Sequence, residues 1–196
     1  MHVLVMAKSP VPGRVKTRLC PPCTPQEAAA LAEAALADTL DAVAASGAGR
    51  RIVALDGAPG PWLPPGFHVV PQVAGGPGLQ IGMDTPQVTA ELLDDSLAAL
   101  DSSPALLGHA VDGGWWAIGL RAADSRVFLD VPMSTSRTGA LQEARLRALG
   151  LDVAPLPALV DMDTVHDLPH VTAGGSAIRT AALARTLGVL PLPVNA

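Results

Sequence analysis

Residues 2–19, HVLVMAKSPVPGRVKTRL, join a short apolar run to a loop that carries four cations. The run at 2–7 contains β-branched side chains and no Lys, Arg, Asp or Glu, which is typical of a strand buried on both faces of a sheet. Prolines and a glycine punctuate the loop, so the chain turns there and the strand ends. A buried strand followed by a basic turn predicts the first unit of an α/β fold.

Helix and strand patterns alternate along the rest of the chain. Thr24 and Glu27 have the spacing of a capping box before a helix that begins at Pro25 and ends at SGAG, residues 46–49. Further strands are predicted at 51–56, 68–72, 78–84, 104–111, 115–121 and 152–157, and further helices at 89–100, 138–150 and 176–187. The pattern predicts an α/β three-layer sandwich with a mainly parallel sheet, formed by one domain over residues 1–196.

One connection is too short for this scheme. Only VAGGP, residues 73–77, separates the strand predicted at 68–72 from the strand predicted at 78–84. A crossover between parallel neighbours takes about a dozen residues or more. Either these two strands are not parallel neighbours or a crossover helix is absent.

Composition excludes several classes of function. The chain has a formal net charge of −5 and only 13 Lys plus Arg, which argues against a broad nucleic-acid-binding face. It has no apolar run of about 18 residues and no signal-peptide pattern at 2–7, so we expect a cytoplasmic protein that does not bind membranes. Cys20 and Cys23 have no second cysteine pair to complete a zinc site, so a structural role is expected.

The basic loop carries Lys8, Arg14, Lys16 and Arg18 directly after the first strand. Loops at the carboxyl ends of strands hold the ligands of open α/β sheets, and cations there suit phosphate groups. The loop is not a Walker A motif, because Val15 stands before Lys16 where that motif needs glycine. Binding of an anion is favoured, and a solvated charged loop is the alternative.

Acidic residues follow two later strands. Asp84 lies at the tip of the predicted strand 78–84, and Asp161 and Asp163 alternate in DMDTVHDL, residues 161–168. Carboxylates in such positions suit Mg²⁺ or Mn²⁺ shared with phosphate oxygens. Turn formation and helix capping explain the same residues about as well.

Two further segments suit a ligand beside the phosphates. Asp112 precedes Gly113 and Gly114, where missing side chains let a ligand approach the backbone. Trp115 and Trp116 must face opposite sides of a strand, so one is expected in the core and the other is free to stack on a ligand. The segment 132–139, PMSTSRTG, is suited to binding an anion or to capping a helix through its polar side chains Ser134, Thr135, Arg137 and Thr138.

Together, AKSPVPGRVKTRL, IGMDTPQ, DGGWWAIGL, VPMSTSRTG and DMDTVHDL closely resemble an uncharacterised bacterial family of the nucleotide-diphospho-sugar transferase superfamily. That family is often labelled glycosyltransferase-like and linked to arsenosugar biosynthesis, and a more distant similarity is to the 2-phospho-lactate guanylyltransferase family. The resemblance implies the Rossmann-like glycosyltransferase-A fold. It also implies phosphate contacts from the four loop cations, metal contacts from Asp84, Asp161 and Asp163, and an acceptor or sugar side lined by Asp112, Gly113 and Gly114. Trp116, Ser134, Thr135 and Arg137 are expected on the same acceptor or sugar side.

The expected function is transfer of a sugar from a nucleotide sugar to a small-molecule acceptor with Mg²⁺ or Mn²⁺, with Asp84 and Asp112 as catalytic residues. His109 and Asp112 are the nearest candidates for a general base. A nucleotidyltransferase that uses a nucleoside triphosphate and a phosphorylated acceptor is the alternative, as is a non-catalytic nucleotide-binding protein. The resemblance leaves a homodimer open. Relatives carry a longer segment at 73–77 and often an acidic residue where Val111 stands.

Overall fold

The computed structural model describes residues 1–71 and 77–190. Seven strands are present in this part: β1 (His2–Lys8), β2 (Arg50–Asp56), β3 (His68–Pro71), β4 (Gly78–Gly82), β5 (Ala105–Ala110), β6 (Trp115–Leu120) and β7 (Val153–Leu159). Five α-helices accompany them: α1 (Pro25–Ala45), α2 (Ala90–Ser102), α3 (Thr138–Ala148), α4 (Leu168–Thr172) and α5 (Ile178–Thr186). Two short 3₁₀ helices lie at Thr17–Leu19 and Ser125–Phe128.

Local chemistry begins the two long helices where the sequence predicts. Thr24 accepts a hydrogen bond from the Glu27 amide, and the Glu27 carboxylate accepts one from the Thr24 amide, so the capping box of α1 is complete. Thr89 caps α2 by accepting from the amide of Leu92. Each cap satisfies an amide that the helix leaves without a partner. The predicted helix starts are confirmed at both positions.

The strands form one sheet in the order β3-β2-β1-β4-β6-β5-β7. β6 is antiparallel to both of its neighbours, β4 and β5, whereas the other neighbouring pairs are parallel. Six strands therefore run in one direction and only β6 opposes them. The predicted α/β fold with a mainly parallel sheet is confirmed.

β3 and β4 are not neighbours, because β2 and β1 lie between them in the sheet. The first of the two explanations for the short connection is thus correct: the strands do not pair with each other. The connection itself, with most of VAGGP, lies outside the described residues.

Three apolar clusters hold the helices against the sheet. One packs α1 and α2 against β1, β2 and β4, and its most buried members include Val3, Leu36 and Ile81. A second joins α1 to α4 and α5, and the third packs α3 against β5, β6 and β7. Burial of apolar surface contributes about 25 cal/mol per Å², so these clusters are the main stabilising contribution.

In the described part of the chain, every helix is too short or too polar to cross a membrane.

Candidate functional site

A cavity of about 690 Å³ opens at the carboxyl edge of the sheet. β1, β4, β5 and β7 all end at this edge, so the loops after them meet there. The strand order also reverses between β1 and β4, because the chain proceeds from β1 outward to β2 and β3 and then returns to the other side of β1. Open α/β sheets bind ligands at such a switch point.

The cavity brings together most of the predicted site residues. Its lining includes the four loop cations, Lys8, Arg14, Lys16 and Arg18, and the four aspartates Asp84, Asp112, Asp161 and Asp163. Gly114, Ser134 and Thr135 line it as well. Residues from the first strand loop thus lie beside acidic residues that come almost 150 positions later in the chain.

Lys16 connects the basic loop to the acidic loops. Its Nζ lies 2.9 Å from Oδ1 of Asp84 and 3.0 Å from Oδ1 of Asp163. The Lys16 side chain is only 7% exposed, whereas the two carboxylates are 40% and 34% exposed. Burial lowers the pKa of Lys16, but the charges of Asp84 and Asp163 outweigh that effect and the pKa is raised. Lys16 therefore carries its charge between two carboxylates that face the cavity.

The backbone of Lys16 has the left-handed conformation, with φ of 48°, and precedes the 3₁₀ turn Thr17–Leu19. A non-glycine residue rarely adopts this conformation, and it turns the loop back toward the acidic residues. Arg18 leaves the same turn and its Nη1 lies 3.0 Å from Oδ2 of Asp163. Asp163 therefore accepts from two cations, one on each carboxylate oxygen.

Asp167 holds the turn that carries Asp163. Its Oδ2 accepts from the amide of Asp163 at 3.1 Å, from the amide of Thr164 at 2.6 Å and from the Thr164 hydroxyl at 2.9 Å. The amide of Met162 donates to the carbonyl of Asp84 at 2.8 Å, which ties this turn to the loop after β4. The acidic turn is thus fixed by backbone contacts, and the side chain of Asp163 remains available to the cavity.

Asp161 is the most perturbed carboxyl of the site. Burial raises its pKa, and the negative charges of Asp112 and Asp84 raise it further, to about 7, although Lys16 acts in the opposite direction. Burial is the larger cause, and the two neighbouring carboxylates add negative charge beside Asp161. A cation bound nearby would offset that negative charge.

The loop 132–139 is fixed to the turn after β5. The amide of Gly139 donates to the carbonyl of Gly113 at 2.8 Å. A Cβ on Gly113, whose φ is +94°, would lie 2.0 Å from the carbonyl oxygen of Ser136, and a Cβ on Gly139 would lie 2.3 Å from the carbonyl oxygen of Gly114. Both positions require glycine because two stretches of backbone approach each other there.

Three residues that were assigned to the acceptor side, Gly113, Trp116 and Arg137, do not line the cavity. Trp116 is 1% exposed and lies in the core, where its indole N–H donates to the carbonyl of Pro157 at 2.8 Å and its ring covers Gly108. Gly113 is not among the lining residues, and a side chain at this position would be directed at the carbonyl oxygen of Ser136. Arg137 is exposed at the N-cap position of α3 and does not line the cavity either. The two tryptophans do face opposite sides of β6, but the residue that meets the cavity is Trp115, whereas Trp116 had been assigned to the acceptor side.

His109 is not placed as a general base for this cavity. Its Nε2 lies 3.2 Å from Oε2 of Glu143, and the residue is absent from the cavity lining. Glu143 also accepts from Arg147, so His109 contacts a bonded pair of side chains on α3.

Five lining residues were not singled out from the sequence: Val15, Thr17, Met83, Met133 and Ser136. Two more, Trp115 and Thr138, also line the cavity; the sequence left open which tryptophan would meet a ligand, and it assigned Thr138 to anion binding or helix capping. Trp115 lines the cavity and packs against Phe128 with ring centroids 6.5 Å apart. It begins β6, and because β6 runs opposite to the other strands, its first residue lies at their carboxyl edge. The direction of β6 was the missing signal.

The predicted metal ligands do not form a ready cluster. Within residues 1–71 and 77–190, no three His, Cys, Asp or Glu side chains are grouped so that they could hold a metal ion. Asp84 and Asp163 instead share the Lys16 ammonium. Cys23 is buried in the cluster of α1, α4 and α5, as expected for a structural cysteine.

Comparison with known proteins agrees with the fold and with the family resemblance. Residues 67–135 match the model of a family described as "Uncharacterized protein conserved in bacteria (DUF2064)". That match confirms the resemblance to an uncharacterised bacterial family. No curated protein matches the chain significantly.

A solved structure from Desulfovibrio desulfuricans G20, a "putative nucleotide-diphospho-sugar transferase", has a TM-score of 0.76 and 23% identity over 95% of this chain and 98% of that chain. A Mycobacterium tuberculosis Rv0371c homologue from Mycobacterium sp. strain JC1 has a TM-score of 0.50 and 19% identity over 94% and 98%. Rv0371c of M. tuberculosis H37Rv in complex with manganese reaches only 0.43 and 16% identity over 83% and 92%. The first likeness confirms the glycosyltransferase-A fold, and the last is too weak to transfer a metal to this chain.

Proposed function

We propose that this protein is a transferase of the glycosyltransferase-A type that moves a sugar from a nucleotide sugar to a small acceptor. The observation that carries the proposal is the meeting of four loop cations and four aspartates in one cavity at the switch point of the sheet. The description of the Desulfovibrio protein makes nucleotide sugars the first donors to test.

The four cations of the loop after β1 have different roles in this proposal. Lys8 and Arg14 form no ion pair with any described residue and are exposed, so they can meet the diphosphate directly. Lys16 and Arg18 are already held by Asp163 and supply positive charge at a fixed position. Positive charge that is already in place beside the leaving diphosphate stabilises the transition state, because the site does not have to reorganise during the reaction.

The carboxylates fit Mg²⁺ or Mn²⁺ in their chemistry. Asp84, Asp112, Asp161 and Asp163 offer hard oxygen donors, and the pKa of Asp161 is raised by burial and then by the negative charges of Asp112 and Asp84. In this proposal Asp84, Asp161 and Asp163 would hold the ion together with the nucleotide, because among the described residues these side chains do not form a metal site by themselves and Asp84 and Asp163 share the Lys16 ammonium. The ion would neutralise charge on the leaving diphosphate.

The proposal is tested by thermal shift with UDP, GDP, CDP and ADP, each with and without MnCl₂. A nucleotide present at a hundred times its Kd stabilises by about 2.7 kcal/mol, which raises the Tm of a protein of this size by about 5 to 10 °C. We expect one nucleotide to give such a shift with Mn²⁺. Asp84→Asn should remove the part of the thermal shift that depends on Mn²⁺. Asp95→Asn, a substitution at an exposed position of α2, should retain that part of the shift. A wild-type protein that responds to none of the four would contradict the proposal.

Nucleotidyl transfer is the second candidate, because the same four cations would also hold a triphosphate. The products distinguish the two reactions: a nucleoside diphosphate from a nucleotide sugar, or pyrophosphate from a nucleoside triphosphate and a phosphorylated acceptor. A nucleotide that binds without either product would favour the non-catalytic alternative.

A further inference from the structure

The residues that line the cavity come from two separate places at the edge of the sheet: the loop after β1, and the turn between β5 and β6 with the loop before α3. In the sheet β4 lies between β1 and β6, so these two places form two halves of the cavity, called here the cation half and the acceptor half. The cation half is formed by Lys8, Arg14, Lys16 and Arg18 of the loop after β1, together with Thr17. The acceptor half is formed by Asp112, Gly114 and Trp115 and by the loop residues Met133, Ser134 and Ser136. Under the proposed function the nucleotide phosphates occupy the cation half, so the second substrate must meet the acceptor half.

The acceptor half has no positive side chain. Among the residues that the structure describes, its lining contains no Lys, Arg or His, and residues 72–76 and 191–196 contain none in their sequence. Arg137, the nearest cation in the sequence of this loop, does not reach the lining. Asp112 is the charged group that remains, and its negative charge acts on Asp161 as well. A phosphate group in this half would face carboxylates and no cation.

The cation half cannot supply a second phosphate site. Lys16 and Arg18 are already paired with Asp163, and Lys16 is also paired with Asp84. This leaves Lys8 and Arg14 without ion pairs among the described residues, and the diphosphate of the nucleotide needs both. A phosphorylated acceptor would therefore add negative charge where no side-chain cation is left to compensate it.

Hydroxyl groups find suitable partners in the acceptor half. The side chains of Ser134 and Ser136 are exposed and form no hydrogen bond within residues 1–71 and 77–190. Asp112 uses Oδ1 to accept from the amide of Gly114 at 2.8 Å, and its Oδ2 accepts from none of the described residues. Trp115 and Met133 add apolar surface beside them. A few polar groups on an apolar wall are typical of a site that orients a small neutral ligand.

We infer that the acceptor is an uncharged, hydroxyl-rich molecule, of the sugar or polyol class, and that Asp112 and Ser136 select it against its phosphate ester. This inference rests on the proposed function, and it adds the chemical class of the acceptor. Rejection of the ester follows from like charge, whereas acceptance of the neutral molecule follows from hydrogen bonding to Asp112 and the two serines.

The test compares matched probes by saturation-transfer NMR and calorimetry: glycerol with glycerol 3-phosphate, and glucose with glucose 6-phosphate. Each pair is measured with the cation half saturated by the nucleoside diphosphate that gives the largest thermal shift, and again without nucleotide. When nucleotide is present, we expect the neutral member of each pair to bind at least tenfold more tightly than its phosphate ester. Asp112→Asn should weaken the neutral probe about tenfold, and Ser136→Arg should improve binding of the ester at least tenfold.

An ester that binds as tightly as its neutral partner would overturn the inference, and so would the absence of binding by both members. Failure of the proposed function gives a different result, because then no nucleoside diphosphate binds. In that case the comparison without nucleotide still decides whether the acceptor half prefers the neutral probe.

Discussion

Asp161 provides the sharpest test of the electrostatics of the cavity. Its carboxyl is partly buried beside Asp112 and Asp84, and these surroundings raise its pKa from 3.8 to about 7. Asp161→Asn keeps the shape of the side chain and removes its charge. The variant should therefore be more stable than the wild type at neutral pH and should lose that advantage in acid.

The sign and the size follow from proton linkage. The native state binds the Asp161 proton more tightly than the unfolded state, so ionisation of this group lowers the stability of the wild type as pH rises from about 4 to about 7. The full change in pKa corresponds to about 4 kcal/mol, at about 1.4 kcal/mol for each pH unit. Water reaches the part of the carboxylate that is exposed, so we expect Asp161→Asn to stabilise by about 2 kcal/mol at pH 7.5.

Urea unfolding followed by tryptophan fluorescence measures this difference at pH 4.5, 6 and 7.5. The matched control is Asp95→Asn, the same chemical change at an exposed position of α2 far from the cavity, and its effect should not vary over this range. A stability difference between Asp161→Asn and wild type that is independent of pH, or that favours the wild type at pH 7.5, would refute the reasoning.

Two further predictions concern the contacts that form the site. Lys16→Met removes the ammonium between two carboxylates, and urea unfolding should show a free energy of unfolding lower by about 2 kcal/mol. Lys8→Met, at an exposed position, should change the free energy of unfolding by less than about 0.5 kcal/mol. Equal effects of the two substitutions would contradict the role of Lys16 as the connecting cation. Gly113→Ala places a Cβ 2.0 Å from a carbonyl oxygen at a φ of +94° and should cost about 3 kcal/mol. Gly150→Ala, at a φ of +78° with open space around it, should cost about 1 kcal/mol in the same assay, and a loss as large as that of Gly113→Ala would show that the clash is not the cause.

Features that depend on near neighbours in the sequence were predicted correctly. The strand at 2–7, the capping box of Thr24 and Glu27, and the cap at Thr89 follow from burial and from hydrogen bonds that span three residues. The assignment of polar residues to loops after strands also put most of the cavity lining on the right segments. Each of these inferences needed only a few adjacent positions.

The tryptophans show where this reasoning stops. Alternation along a strand requires Trp115 and Trp116 to face opposite sides, but it does not say which side meets the cavity. That depends on the direction of β6 and on the space above Gly108, which accommodates the indole of Trp116. Both are properties of the neighbouring strands in the assembled sheet.

The amino-acid sequence specified the strands, the starts of α1 and α2, and the basic and acidic loops, because these arise from local propensity and periodicity. It did not specify that β3 and β4 lie apart, that β6 runs against its neighbours, or that the Lys16 ammonium lies between Asp84 and Asp163. Lys16 and Asp163 are 147 positions apart, and their contact exists only after the sheet has aligned the ends of β1, β4 and β7 at one edge. Long-range packing, which no short segment encodes, therefore turned two sets of charged loops into one cavity.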